Sequence, residues 1–371
     1  GFSRLNRLKL WEWVKFDLIA WGARQLMPKF GVGAGHLHIG IHQLQIFFWK
    51  VCLLLGVELH LSLELVQDGC GQLLSRPSCH GAEAGAESGS EVVPCDILVE
   101  AGGPGGLAWP HAGFTYDIVG TAEAIGLVAN FERRPGPGED LKEFSWARQF
   151  NQELFMRLEQ ETGANLENIV YLRGEEAHYF VATPRRRGLL AVGVLPSSEA
   201  SGDSLHAEVP ALRAHARAIA TFFGLPPDCD FAAEPQLFDF SRRRSCSAAL
   251  RPAAMAPAAA VSGAPLLVAV VGDALLEPFW PEGLGITRGF LGALDTAWEM
   301  SSLSAEDFHV ARSGGVAHVS NAQLEATCRS RERTCRILKQ LGAANQAQYL
   351  CGDDKAFTLD PRSRYKHHLL A

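Results

Sequence analysis

The sequence lacks several signatures of specialised protein classes. Its nine cysteines form no CxxC pair and have no neighbouring histidines at zinc-site spacing, so we expect no metal site. The formal net charge of −7 provides no general basic excess for binding nucleic acid. No secretory signal is visible, and we therefore expect reduced thiols and a cytosolic or nuclear protein.

A long uninterrupted apolar run is also missing. The most apolar stretch is broken by three polar residues, Lys50, Glu58 and His60, so we expect no membrane span. Apolar spacing predicts a helix over 39–55, and alternation predicts a strand over 57–66. The composition, 47% hydrophobic and 20% charged, is that of a globular protein with room for two or three subdomains.

The glycine fingerprint of dinucleotide-binding domains is absent near the start of the sequence. Gly31, Gly33 and Gly35 do not fill the pattern GxGxxG, and no apolar strand comes immediately before them. Further along, we predict an amphipathic helix within 144–161, with Phe150 on its apolar face, and another over 325–341. Cys328 and Cys335 belong to the second helical pattern and are expected to be unpaired.

The most informative stretch is 266–298. An apolar run over 266–271 predicts a buried strand, which is followed by Asp273, a Pro/Gly-rich loop and a helical pattern. Asp273 would accept hydrogen bonds from ligand hydroxyls, and the helix N-terminus would favour negative charge. This arrangement suits a nucleotide or flavin. Spacing alone is equally compatible with an ordinary loop whose aspartate caps a helix.

The same stretch carries a family resemblance. The string GDALLEPFWPEGLGITRGFLGALDTAW, 272–298, resembles the second flavin motif of FAD-dependent aromatic hydroxylases and, more specifically, the MICAL flavoprotein monooxygenases. FSRLNRLKLW, 2–11, resembles the family's flavin-proximal segment. Strands predicted within 165–185 and the LDPRSRY string at 359–365 also match. In the family a GxGxxG unit precedes the segment that resembles FSRLNRLKLW, so we expect an N-terminally incomplete FAD domain.

The resemblance implies an α/β fold of the FAD-dependent aromatic-hydroxylase type. It would contain a Rossmann-type FAD domain and a mixed β-sheet substrate domain. We predict that 1–111 is the first part of the FAD domain. We assign 112–256 to the mixed-sheet domain, and 257–371 to the second part of the FAD domain with C-terminal helices.

The resemblance also implies site residues and chemistry. The expected FAD-binding residues are Arg4, Leu5, Asn6, Leu65, Tyr179 and Asp273, with Leu65 acting through its backbone. Trp280 is the expected catalytic residue, which positions or gates the flavin ring. FAD and NADPH would support oxidation of methionine in F-actin by O2, with filament disassembly or H2O2 release, in a cytoplasmic, cytoskeleton-associated protein.

Two departures from the family pattern keep other functions open. His42 stands where the family usually has Arg, and 101–106 has no Asp where the hydroxylases often have one. Together with the missing GxGxxG, they favour an alternative, a flavin-free remnant that binds actin or another partner. A further alternative is an aromatic-compound hydroxylase of the same fold. The arginine run 185–187 predicts either a solvated turn or a patch for an acidic partner.

Overall fold

The computed structural model describes residues 2, 4–27, 30, 37–68, 73–77, 90–103, 113–120, 123–134, 141–174, 177–196, 205–253, 266–279, 283–303, 321–352 and 355–370. The chain forms two compact units, each built from three segments. Unit 1 comprises Gly1–Lys9, Lys29–Phe48 and Gly120–Arg242. Unit 2 comprises Leu10–Pro28, Trp49–Val119 and Arg243–Ala371. The domain boundaries expected from the sequence stay a prediction.

The strands and helices are numbered here in chain order. The strands are β1 Arg7–Leu10, β2 Leu37–Gly40, β3 Leu63–Gln67, β4 Leu73–Pro77, β5 Glu91–Val92, β6 Ile97–Glu100, β7 Tyr116–Val119, β8 Ile125–Glu132, β9 Phe144–Ala147, β10 Leu166–Arg173, β11 Ala177–Pro184, β12 Phe231–Asp239, β13 Arg243–Cys246, β14 Leu250–Ala253 and β15 Leu266–Val270. The helices are α1 Glu12–Ala20, α2 Ala23–Leu26, α3 Ile41–Leu54, α4 Gln152–Thr162, α5 Arg186–Ala191, α6 Val209–Phe222, α7 Gly285–Ser301, α8 Asn321–Gln340, α9 Gln346–Tyr349 and α10 His367–Leu370.

Unit 1 is centred on a five-stranded antiparallel sheet with the strand order β12-β8-β11-β10-β9. Strand β8 lies inside this sheet, and its residues from Ile125 to Phe131 are all buried, as its almost wholly apolar sequence predicts. Alternate side chains of the sheet, including Phe131 and Phe180, share one core cluster with Phe155 of α4 and Leu212 of α6. These two helices therefore cover one face of the sheet.

The other face of this sheet carries a different set of side chains. Strand alternation places Val128, Asn130 and Tyr179 opposite the helix-covered face, and all three are buried. The short pair β1–β2 and the beginning of α3 belong to the same unit. The Ile41 N–H donates to the Asn6 carbonyl at 3.0 Å, which ties the N-terminal segment to the start of α3.

Unit 2 contains a three-stranded mixed sheet with the order β14-β15-β6. Strand β15 pairs in parallel with β6 and antiparallel with β14. Buried Leu250 and Ala269 of this sheet share a core cluster with Leu324 of α8. Because β6 and β15 run in parallel, their carboxyl ends lie at the same edge of the sheet.

The other secondary structure of unit 2 forms two smaller sheets and a helical layer. Strands β3, β4 and β5 make one antiparallel sheet, and β7 pairs with β13 in another. Helix α1 packs through Trp13, whose ring stacks on Phe357 at 4.7 Å and meets the edge of Phe290 at 6.4 Å. None of the described helices is long and apolar enough to cross a membrane.

Several element predictions hold, and two need correction. The strand expected over 57–66 begins only at Leu63, because Ser62 adopts a left-handed φ of 58° and the preceding residues are mostly exposed. The helix expected within 144–161 begins at Gln152, after β9 and a 3-10 turn, and Phe150 is 80% exposed. Helix α8 confirms the C-terminal helical pattern, and Cys328 and Cys335 are free thiols as expected.

Candidate functional site

The candidate site in unit 2 lies where β15 ends. A 3-10 turn at Gly272–Ala274 follows the strand and presents Asp273, as the sequence predicts. Gly272 has a φ of 60°, a conformation that residues with a Cβ rarely adopt. The local sequence therefore turns the chain sharply at the point where Asp273 leaves the sheet.

The end of β6 lies beside this turn. The Val271 N–H donates to the Glu100 carbonyl at 3.0 Å, which continues the parallel register beyond β15. A Cβ placed on Gly103, whose φ is 70°, would lie 3.9 Å from the Asp273 Cβ, so the two loops approach closely. The Glu100 carboxylate accepts the Gly102 N–H at 2.6 Å and thereby shapes its own loop.

The third part of this site is the beginning of α7. A Cβ on Gly285, the first residue of the helix, would lie 3.7 Å from Asp273 Oδ1, so the carboxylate faces the helix N-terminus. The first helical backbone bond joins the Arg288 N–H to the Leu284 carbonyl, and the amides of 285–287 precede it. The Thr287 hydroxyl is fully buried and has no hydrogen-bond partner among the described residues.

These groups form a set of hydrogen-bond donors and acceptors that favours one kind of ligand. The Asp273 carboxylate accepts hydrogen bonds from hydroxyls, while the helix N-terminus and the Thr287 hydroxyl donate to negatively charged or carbonyl oxygens. Glycine at 103 and 285 keeps the backbone accessible. The set fits a ligand that combines hydroxyl groups with phosphate or carbonyl oxygens, as FAD does.

A second candidate site is a cleft in unit 1. It is open to solvent and is lined by Leu5, Arg7, Gly40, His42, Gln43, Gly174 and Ala177. A Cβ on Gly174 would approach the Ala177 carbonyl to 2.7 Å, so the chain requires glycine at the end of β10. Arg7 donates to the His38 carbonyl, and Arg133 donates to the Gly174 carbonyl, both at 2.9 Å.

Of the predicted site residues that the structure describes, Tyr179 is the most enclosed. It lies on β11 between Leu172 of β10 and Asn130 of β8, and only 4% of its surface is exposed. Burial raises the pKa of Tyr179 well above its ordinary value, although Arg4 and Arg7 act in the opposite direction. The phenol therefore stays protonated at neutral pH and serves as a hydrogen-bond donor.

His178 points to the opposite face of the same strand. Strand alternation suggests that one of His178 and Tyr179 is exposed, but this expectation is wrong because both faces of the sheet are covered. The His178 ring Nδ1 and the Tyr171 hydroxyl lie 2.8 Å apart on the helix-covered side. His178 is thus part of the unit 1 core.

The structure places the predicted residues in both units. Arg4, Leu5, Asn6 and Tyr179 belong to unit 1. There Arg4 is exposed, Leu5 lines the cleft, and Asn6 accepts a bond through its backbone. Asp273 and Leu65 belong to unit 2, but Leu65 lies on β3, in a different sheet from the one that ends at Asp273. Trp280 lies outside the described residues.

Two polar groups near the predicted residues escaped the sequence analysis. Thr287 sits within an apolar helical pattern, and Asn130 interrupts an apolar strand. The Asn130 Oδ1 atom is buried and has no hydrogen-bond partner among the described residues. Asn130 is a single polar residue in an apolar run, which is the available sequence signal for it, whereas Thr287 is followed by Arg288 and has no comparable signal.

The basic run 185–187 is neither a solvated turn nor a free patch. It forms the beginning of α5, where Arg185 pairs with Glu167 and Arg186 pairs with Asp239 at 3.0 Å. These carboxylates neutralise much of the predicted charge. Across the described ranges, no group of three or more His, Cys, Asp or Glu side chains has the arrangement of a metal site.

Comparison with known protein families gives a consistent result. The family described as "Mical, Rossman domain" matches residues 123–235, which in this structure form the antiparallel sheet of unit 1 with α4, α5 and α6. The chain is 37% identical to the protein-methionine sulfoxide oxidase mical3b of Danio rerio, over 98% of this chain and 21% of that protein. It is 35% identical to the [F-actin]-monooxygenase MICAL3 of Homo sapiens, over 98% of this chain and 18% of that protein.

Solved structures agree on the fold. CmlS, a flavin-dependent halogenase, aligns with a TM-score of 0.54 and 12% identity, over 92% of this chain and 57% of that one. The Diels-Alderase PyrE3 aligns with a TM-score of 0.51 and 14% identity, over 93% of this chain and 67% of that one. The α/β fold expected from the sequence is confirmed.

The chain spans 18% to 29% of the length of the curated MICAL relatives it matches. Within that span the similarity is continuous, because the alignments to relatives that are 34% to 37% identical cover 98% of the chain. Over nearly its whole length, the chain is similar to the MICAL proteins.

Proposed function

We propose that this chain is the flavin-binding monooxygenase region of a MICAL-type protein. The observation that carries the proposal is the arrangement at Asp273, whose carboxylate faces the start of α7 beside the end of β6. This arrangement lies in a chain whose relatives are named [F-actin]-monooxygenases. FAD is the proposed cofactor and NADPH the proposed reductant.

The roles proposed for the chain's residues follow from their chemistry. Asp273 accepts hydrogen bonds from FAD hydroxyls, and the first-turn amides of α7 with the Thr287 hydroxyl donate to its oxygens. In unit 1, protonated Tyr179 donates a hydrogen bond, and Arg4 and Asn6 supply further donors. Leu65 is proposed to contact FAD through its backbone, and Trp280 is proposed to position or gate the flavin ring, as the family resemblance implies.

When bound, FAD supplies the redox chemistry by which NADPH and O2 oxidise a thioether. The proposed substrate is a methionine of F-actin, and the product is methionine sulfoxide, a polar side chain that disrupts apolar contacts. H2O2 would be the product when no thioether is near. The proposed location is the cytoplasm, in association with the cytoskeleton, and the nucleus is a second proposed location.

The first experiment measures cofactor retention. The purified chain is incubated with FAD and desalted, and its visible absorbance is recorded next to that of the Asp273→Asn variant. We expect the chain to retain flavin and the variant to lose most of it, because the neutral amide has one accepting oxygen where the carboxylate has two, and it accepts more weakly than a charged group. Asp228→Asn, at an exposed position in unit 1, is the matched control and should retain flavin.

The second experiment tests the reaction. NADPH oxidation is followed with and without F-actin, and actin peptides are analysed for methionine sulfoxide. Stimulated oxidation and sulfoxide formation would support the proposal. A chain that binds F-actin but retains no flavin would instead support the flavin-free binding module, and a flavin-loaded chain indifferent to F-actin would point to another substrate.

A further inference from the structure

The loop that connects Asp273 to α7 is fastened to a neighbouring strand by one arginine. Arg244 of β13 donates from its backbone N–H and from its side-chain Nε to the two oxygens of Glu277, both at 2.8 Å. The Glu277 side chain is only 14% exposed, and the Arg244 side chain is 40% exposed. This partly buried, doubly hydrogen-bonded pair is stronger than an ordinary surface ion pair.

Backbone contacts surround this ion pair. The Glu277 N–H donates to the Arg244 carbonyl at 2.9 Å, and the Cys246 N–H donates to the Leu275 carbonyl at 2.8 Å. The loop therefore adds itself to β13 as a short antiparallel segment, with Leu276 opposite Ser245. Phe279 follows Pro278 in the loop, and the Arg243 guanidinium lies 5.0 Å from the centre of its ring.

The same loop also contacts the start of α7, beside the Asp273 carboxylate. A Cβ on Gly285 would lie 3.0 Å from the Pro278 Cβ and 3.7 Å from Asp273 Oδ1. Pro278 therefore packs against the first residue of α7 at the place where the Asp273 carboxylate faces the helix. The position of 277–278 fixes how closely Asp273 and the helix N-terminus approach each other.

We propose that Arg244 is a positioning residue of the Asp273 site, which holds the 275–279 loop so that Asp273 and the start of α7 converge on one ligand. The inference rests on the proposed binding of FAD at Asp273. Arg244 also neutralises Glu277, a carboxylate four residues from Asp273 that would otherwise repel the negatively charged cofactor. Its side chain is not assigned a contact with FAD.

The test compares the dissociation constant for FAD of the wild type with those of Arg244 variants, one of which also carries Glu277→Gln. Arg244→Gln should raise this constant about tenfold, because it loosens the loop and leaves the Glu277 carboxylate unpaired. The double variant Arg244→Gln with Glu277→Gln should bind FAD more tightly than Arg244→Gln alone, since it carries no unpaired carboxylate. Arg244→Lys, which keeps the charge but loses the planar fork, should fall between Arg244→Gln and the wild type.

Arg329→Gln is the matched control. Arg329 forms an exposed ion pair with Glu325 on α8, in the same unit, and its loss should leave FAD affinity within twofold of the wild type. If Arg244→Gln also stays within twofold, or lowers only the unfolding temperature, Arg244 is not a positioning residue. The same conclusion follows if the double variant binds no better than Arg244→Gln.

A second readout does not depend on the cofactor. Amide hydrogen exchange of residues 284–288 in the ligand-free chain should be faster in Arg244→Gln than in the wild type and unchanged in Arg329→Gln. If the wild type retains no FAD, the proposed function fails while this exchange measurement still decides the inference. Unchanged exchange in Arg244→Gln would overturn it.

Discussion

Arg364 donates a hydrogen bond to Asp295 at 2.5 Å, and neither side chain is exposed to solvent. The Tyr365 hydroxyl donates to the second carboxylate oxygen at 2.8 Å, and Arg331 of α8 lies 3.9 Å from the same oxygen. The Asp-Pro-x-x-Arg-Tyr string at the end of the sequence is therefore a structural element of unit 2. It joins the C-terminal segment to α7, the helix whose first turn faces Asp273.

This buried pair leads to a stability prediction. Arg364→Met should lower the free energy of unfolding by about 3–5 kcal/mol, because it leaves the Asp295 carboxylate buried with less compensation. Urea unfolding followed by circular dichroism measures the loss. Arg362→Met is the control, since Arg362 pairs with Asp360 at the surface and is 67% exposed. Equal losses in the two variants would contradict the structural role of Arg364.

Elements with local signals could be predicted from the sequence. Strands β10 and β11 were expected because their sequences resemble strands of a known family, and Asp273 was expected as a site residue because it follows an apolar run. The ion pair of Arg186 with Asp239 could not be predicted, because 53 residues separate the partners along the chain. Burial of Thr287 and pairing of Arg244 with Glu277 likewise depend on tertiary packing.

Asp17 of α1 predicts a pH dependence of stability. Burial raises the pKa of Asp17 to about 6, while a backbone hydrogen bond from Phe357 and the charge of Arg364 act against the increase. The folded state therefore favours the protonated carboxyl. Its contribution to stability is fully present below pH 4 or so, near the ordinary aspartate pKa, and is lost as the pH rises through about 6.

Asp17→Asn should remove this dependence, because the amide stays neutral at every pH. We expect the variant to be more stable than the wild type at pH 7, by up to about 2 kcal/mol, and to converge with it toward pH 4. Urea unfolding at several pH values measures the difference. Asp117→Asn, at an exposed position of β7, should run parallel to the wild type. A constant difference for Asp17→Asn across this range would contradict the prediction.

His215 of α6 predicts the opposite dependence in unit 1. Burial lowers the pKa of His215 to about 4, and its Nε2 atom has no hydrogen-bond partner among the described residues. The folded state therefore favours the neutral ring, and stability falls as the pH drops from about 6.5 toward 4.

His215→Leu replaces the ring with an apolar side chain that cannot take up a proton. We expect its stability relative to the wild type to increase as the pH is lowered, measured by urea unfolding between pH 7 and pH 4. His206→Leu, at an exposed position of the same unit, is the control. The prediction fails if the advantage of His215→Leu does not grow toward low pH.

Substitution of two glycines of α7 distinguishes an effect on helix stability from an effect on FAD binding at the Asp273 site. A Cβ on Gly285 would lie 3.0 Å from Pro278 and 3.7 Å from Asp273 Oδ1, whereas a Cβ on Gly289 would meet nothing within 4 Å. Alanine forms helices better than glycine by about 0.8–1 kcal/mol, so Gly289→Ala should stabilise the protein and leave FAD binding unchanged.

Gly285→Ala gains less helix propensity, because Gly285 is the first residue of α7, and it places a methyl group between Pro278 and the Asp273 carboxylate. We expect weaker FAD binding without a loss of stability comparable to that of Arg364→Met, measured by flavin titration and urea unfolding of the same samples. If Gly285→Ala and Gly289→Ala bind FAD equally well, the ligand does not depend on the close approach of Asp273 to the helix N-terminus. The cofactor site would then have to be sought elsewhere in the chain.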